Sequence, residues 1–205
     1  MPFGDSITEI VCWRALLWKQ LQDAGYKNVD FVGSQSKATN GAGCSKNPDY
    51  DKNHEGHGGY TATDIASRKQ LVDWLKANPA DIITMHLGTN DLTRGKRTND
   101  IIAAYSTMVQ QMRDANPKMR IIVAQIITPS NNQGPTKDLN AAIPAWAASK
   151  NTTESPIWVV DQQTGYAGSD NRDGLHPGDS GDIKMAAKWY PAMITAVKSM
   201  QNMTM

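Results

Sequence analysis

Apolar runs of strand length alternate along this chain with segments of helical period, and that alternation limits what it can fold into. It predicts parallel βαβ units, with helices covering both faces of one sheet. Residues 1–3 read as the end of a first strand, Val29 to Val32 as a second and Asp81 to Leu87 as a third. Arg120 to Ile127 and Ile157 to Val160 supply the last two. From Cys12 to Ala24, Trp13, Leu16, Leu17 and Leu21 recur at helical spacing, and Gly25 is a suitable stop. Thr61 is a good N-cap for a helix reaching Leu75, which Asn78-Pro79 ends. Asp100 to Ala115 carries Ile101, Tyr105, Met108, Val109 and Met112 on one face. A helix interrupted or restarted at Pro144 and a final helix containing Pro191 complete the pattern. The stretch from Gly33 to Tyr60 has no period and is rich in Gly, Asn, Asp, Ser and Lys. A loop of that length in a small domain is usually functional or anchored.

With 205 residues and no repeat or low-complexity tract, residues 1–205 are read as a single domain. Lys plus Arg number 21 against 20 Asp plus Glu, a net charge of +1. That balance argues against nucleic acid or an anionic membrane as partner, and a monomer is expected. No apolar run approaches the ~20 residues of a membrane span. Met1-Pro2-Phe3-Gly4 is too short for a whole leading strand and no signal peptide is visible, so the expectation is either a chain shortened for expression or a mature chain clipped near its first functional residues. Cys12 and Cys44 are too few for a disulfide scaffold and match no zinc spacing. They can form one bridge, and the expectation is that they do, tying the first helix to the long loop. Two sequons, at Asn151 and Asn202, are compatible with secretion.

In an open parallel sheet ligands bind beyond the carboxyl ends of the strands. There stand Gly4-Asp5-Ser6 after the first strand and Gly88-Thr89-Asn90-Asp91 after the third. Asp173-Gly174-Leu175-His176 follows the last, and the long loop delivers Gly56-His57-Gly58-Gly59. Together they offer a hydroxyl nucleophile, an imidazole base, a carboxylate to orient it and neutral donors for an oxyanion. Asp173 and His176 are three apart, so one loop can place carboxylate beside imidazole. Ser6 alone would as readily be a helix cap, and Asn90 and Asp91 a capped turn. Asp5 is expected to be structural, holding the turn that carries Ser6.

Gly4-Asp5-Ser6-Ile7-Thr8, Gly59, Gly88-Thr89-Asn90-Asp91 and Asp173-Gly174-Leu175-His176-Pro177, in this order, resemble the SGNH (GDSL) hydrolases. Within them, Glu55-Gly56-His57-Gly58-Gly59-Tyr60-Thr61 and the short length are similar to carbohydrate esterase family three, the acetylxylan esterases. The resemblance implies a flavodoxin-like α/β/α sandwich, three layers around five parallel strands. It implies Ser6 as nucleophile, His176 as base, Asp173 as its partner, and Ser6 N–H, Gly59 N–H and Asn90 as the oxyanion hole. It also implies a secreted, extracellular enzyme acting on acetylated xylan or xylo-oligosaccharide, with no cofactor.

Candidate walls of the substrate pocket are Asp5, Ile7, Thr8, His57, Tyr60 and Leu175. The histidines of His54-Glu55-Gly56-His57 are three apart around a glycine, not the four that a helical zinc motif needs. His57 is therefore read as lining the pocket or anchoring the loop. Asp170, Asp173, Asp179 and Asp182 could hold calcium, but a solvated loop accounts for them as well. A lipase or thioesterase, a deacetylase of another polysaccharide, and a catalytically silent sugar-binding module are the competing functions.

Overall fold

Five parallel strands, β1 (Pro2–Gly4), β2 (Glu55–Gly56), β3 (Ile82–His86), β4 (Arg120–Gln125) and β5 (Ile157–Asp161), form one sheet in the order β2-β1-β3-β4-β5. This computed structural model describes residues 1–37, 39, 41–129 and 133–201. The sequon at Asn202 lies outside them.

Side chains of successive β4 residues leave opposite faces of the sheet, so one strand feeds two cores. Ile121 and Val123 join the cluster formed with α4 (Ala62–Ser67), α5 (Gln70–Ala77), α7 (Thr98–Ala115) and α8 (Gln133–Lys150). Ile122 and Ala124 join the opposite cluster, with Trp13, Leu17 and Leu21 of α2 (Trp13–Asp23) and Met185, Trp189 and Met193 of α9 (Asp179–Gln201). The result is the expected three-layer sandwich. The short helices α1 (Ser6–Glu9), α3 (Ala42–Ser45) and α6 (Thr89–Thr93) complete the described set.

Three expectations need correction. Val29 to Val32 is not a strand; its Phe31 is buried from irregular backbone, whose N–H is taken by Asp51 Oδ2 at 2.6 Å. The strand beside β1 is instead Glu55–Gly56, inside the supposed loop. The helix expected from Thr61 to Leu75 breaks in two, with Lys69 in the left-handed region (φ 55°) between α4 and α5. Thr61 does cap α4, its Oγ1 accepting the Asp64 N–H at 3.1 Å. Pro144 does not interrupt α8. A proline there leaves the carbonyl of Asn140 without its helical donor. Gln125 Nε2 donates to that carbonyl at 2.8 Å, and the Asn140 side chain pairs with Ile126 N–H (2.7 Å) and C=O (2.8 Å).

Cys12 and Cys44 are bonded, joining the start of α2 to α3 in the long segment. Cys12 is the N-cap of α2 but gives it no side-chain cap; the Trp13 N–H is accepted by Asp182 Oδ1 of α9 at 3.0 Å. Burial pushes the Asp182 carboxyl up to about 7, against the backbone hydrogen bonds at Cys12 and Trp13 that favour its charge.

Two outcomes are expected. The bridge closes a separation of 32 residues, so replacing both cysteines by alanine should cost about 3 to 4 kcal/mol by the chain-entropy relation, read as a lower urea midpoint. A carboxyl raised by folding costs stability once the unfolded chain ionises. The Asp182 contribution is therefore most favourable below about pH 4, declines towards about 7 and is level above. Asp182→Asn keeps an oxygen for Trp13, so its urea midpoint should exceed the native one near neutral and alkaline pH but not near pH 4; a constant offset would contradict the raised value.

Candidate active site

β1 ends at Gly4, and the chain turns at once into α1. Asp5 caps that turn, its Oδ1 accepting the Ile7 N–H at 2.9 Å, and Ser6 opens the helix. Burial pushes the Asp5 carboxyl up to about 7, the Ile7 N–H opposing and the nearby Asp91 reinforcing the shift. The turn can lie this close only because its supports are glycines. A Cβ on Gly4 would sit 2.3 Å from Thr8 Oγ1, and one on Gly56 2.7 Å from Glu9 N.

After β5 a hairpin closed by the Asn171–Pro177 bridge carries the other two groups. Asp173 Oδ1 accepts the N–H groups of Leu175 (3.0 Å) and His176 (2.7 Å), and its Oδ2 lies 2.7 Å from His176 Nδ1. Partial burial would raise the Asp173 carboxyl, but these hydrogen bonds outweigh it and hold the group at about 2. An ionised Asp173 fixes the proton on Nδ1 and leaves the Nε2 lone pair free. That nitrogen is 2.9 Å from Ser6 Oγ.

Beside α1, the loop 57–60 uses its backbone groups almost completely. His57 N–H donates to Gly4 O (2.9 Å), Gly58 N–H to Glu9 Oε2 (2.6 Å) and Tyr60 N–H to His57 O (3.1 Å). Arg94 Nη2 donates to Gly59 O at 2.7 Å, and Asn90 Nδ2 to Tyr60 O at 2.9 Å. Gly59, at φ +79°, keeps its N–H without a partner among the described residues, as does Ser6. Asn90 has a second amide hydrogen to give. Asp91 reaches across from α6 to cap α4, accepting the N–H groups of Ala62 (2.7 Å) and Thr63 (3.0 Å). A hydroxyl with a base in hydrogen-bond reach and unpaired N–H donors on its own and a neighbouring segment is equipped for acyl transfer.

The structure thus gathers Ser6, Asp173, His176, Gly59 and Asn90 on the rim. Asp5, Ile7 and Thr8 are wholly buried and cannot line a pocket; Ile7 packs into the core with α2 and α9. His57 stacks on Trp74 (centroids 4.2 Å) and Tyr60 (5.0 Å), and its Nε2 lies 2.5 Å from Glu55 Oε1. It anchors the loop, while Tyr60 stands 39% exposed and Leu175 is half-buried on the hairpin. The remaining Glu55 lone pairs receive Ser34 N–H (2.8 Å) and Oγ (2.6 Å). Asp170 is taken by Lys184 Nζ (2.7 Å), Ser180 Oγ (2.8 Å) and Ala167 N–H (2.7 Å). Glu9, Arg94 and Trp74 were not singled out from sequence; their partners on this loop are distant along the chain or carry no signature of their own.

Comparison with known proteins agrees with this geometry. Residues 3–182 match the GDSL-like lipase/acylhydrolase family. A serine-to-alanine mutant of an acetyl esterase, solved with an acetate ion, is 37% identical over 98% of both chains, with a TM-score of 0.89. A carbohydrate esterase family 3 structure from Talaromyces cellulolyticus is 38% identical over 97% of both chains (TM-score 0.88). A family 3 carbohydrate esterase from Clostridium thermocellum is 30% identical, covering 98% of this chain and 96% of that one (TM-score 0.81). A multidomain esterase of Ruminococcus flavefaciens is 28% identical over 211 residues; the match takes 92% of this chain but only 27% of that protein, about a quarter of its length. On the family match and on three related structures at 30% identity or above, the chain belongs to the GDSL-like lipase/acylhydrolase (SGNH) family of ester hydrolases.

Proposed function

We propose that this protein removes O-acetyl groups from acetylated xylan and xylo-oligosaccharides through an acetyl-enzyme intermediate, acting outside the cell. The observation that carries the proposal is the hydrogen-bonded chain Asp173–His176–Ser6 beside a loop, 57–60, whose Gly59 N–H has no partner among the described residues. His176 Nε2 takes the Ser6 proton as Oγ attacks the acetyl carbonyl. The carbonyl oxygen, now negative, is received by the N–H groups of Ser6 and Gly59 and the Asn90 amide. His176 returns its proton to the departing sugar oxygen, and water repeats the sequence on the acetyl group held by Ser6.

Two features support acetyl and sugar. A similar structure is an acetyl esterase holding acetate, and two others are carbohydrate esterases of family 3. Tyr60, exposed immediately after Gly59, leaves an aromatic ring with a polar edge on the rim, a surface of the kind that sugars meet. The disulfide supports an oxidising location.

The test is acetate release from acetylated xylan, run beside kcat/KM for aryl esters of two, four and eight carbons, with Ser6→Ala as the blank. Acetyl esters should be cleaved fastest and octanoates hardly at all, since extra carbons displace the carbonyl from its donors. A rate climbing with chain length, as ~0.8 kcal/mol per buried methylene would give, replaces this proposal with a lipase. The pH profile gives a second check. Burial holds His54 and His86 down at about 3, so neither ring charges in the working range. The acid loss of kcat/KM expected of a histidine base should then survive in His57→Gln and in Asp5→Asn, which removes the carboxyl held at about 7 beside Ser6, leaving His176 as its source; a rate flat down to about pH 4 would exclude a histidine base.

A further inference from the structure

We propose that Glu9 is a positioning residue for this reaction, its carboxylate setting the distance between Ser6 and the Gly59 N–H. The inference rests on the function proposed above and adds a part that neither the motif blocks nor the hydrogen-bonded triad contains.

Glu9 lies one helical turn after Ser6, and its Oε2 accepts the Gly58 N–H at 2.6 Å. That single bond spans from the nucleophile's own helix to the residue before the candidate oxyanion donor. Gly58 and Gly59 are adjacent, both exposed, and have the widest backbone freedom of any pair. Without an anchor on the Gly58 N–H, the following peptide is free to turn its Gly59 N–H away from Ser6. The approach is also tight: a Cβ on residue 58 would stand 2.7 Å from Glu9 Oε2, so a side chain there would push the carboxylate off the Gly58 N–H. Neighbouring bonds do not replace this one. The His57 N–H ties the start of the loop to β1 at Gly4 O, Arg94 holds the Gly59 carbonyl and Asn90 holds Tyr60, but none of these links the loop to α1.

The backbone of Glu9, from which the carboxylate reaches Gly58, is itself held on both sides. Its N–H donates to Asp5 O at 3.0 Å, and its carbonyl accepts Arg14 Nη2 at 3.1 Å. The wholly buried Arg14 also donates to Thr8 O (2.7 Å) and Lys52 O (3.1 Å). One guanidinium therefore closes the end of α1 and ties it to the segment leading into β2. A donor displaced by a fraction of an ångström loses contact with the oxyanion, while a loosely bound ester hardly senses the change, so the loss falls on kcat.

The test compares Glu9→Gln with Glu9→Asp. Glutamine keeps the reach and an accepting oxygen but not the charge; aspartate keeps the charge and is one methylene too short. With p-nitrophenyl acetate, Glu9→Gln should retain kcat within ~3-fold, while Glu9→Asp should lose ~10-fold or more with KM little changed. Melting temperatures taken alongside separate this from global loosening. Aspartate equal to or better than glutamine would assign the effect to charge and overturn the proposal, as would two variants both like the native enzyme or both equally impaired. The native protein and Ser6→Ala accompany the series: an inactive native protein or an active Ser6→Ala overturns the esterase assignment itself, whereas failure confined to the Glu9 pair overturns only the inference.

Discussion

The turn bearing Ser6 rests directly on the backbone of two strands, and the rest of the rim is arranged around that contact. Gly4 and Gly56 are paired across β1 and β2, and neither could carry a side chain without striking Thr8 or Glu9. Glycines packed against the backbone of the turn and the wholly buried Thr8 leave little room to drift. The position of the nucleophile is thereby a property of the sheet. The loop 57–60 inherits the same reference, since its His57 N–H continues the ladder onto Gly4 O.

The second half of the site comes from the far end of the chain and is fastened differently. Asp170 gathers Lys184, Ser180 and Ala167, so the segment before the Asn171–Pro177 hairpin is bound to the first turns of α9. The same helix caps α2 through Asp182 and α3 through Asp179, whose Oδ1 accepts the Ala42 N–H at 3.0 Å. α9 is thus a common support for the hairpin and for the helices flanking the disulfide. Asp91 plays the matching part on the other face, where one buried carboxylate joins the segment carrying Asn90 to the helix after Tyr60.

Much of this was legible because the chemistry demands particular residues at particular strand ends. Ser6 and Asn90 follow apolar runs, Asp173 and His176 lie on the loop after the last one, and the unbroken apolar run Ile121 to Ala124 of β4 announces a strand with two buried faces. What sequence hid was whatever depends on contacts remote along the chain. Glu55–Gly56 has no strand-like composition and pairs only because β1 lies beside it. The break at Lys69 is invisible because Ile65, Leu71 and Leu75 stay buried on either side of it. Pro144 reads as an interruption until Gln125, from β4, is seen filling the carbonyl it frees. Ile7 was misplaced for a related reason: being next to the nucleophile says nothing about which way the side chain leaves a helix.

The hairpin has a consequence for the life of the chain. Asp173 and His176 are joined by their own local hydrogen bonds, yet the bond from His176 to Ser6 spans a sequence separation of 170 residues. During synthesis the serine precedes the imidazole by 170 residues. No product that stops short of His176 can pair the two, so hydrolytic power arrives only after the strands between them have been made and the hairpin has been placed beside α1. Ester cleavage by this protein is consequently a certificate of completed folding.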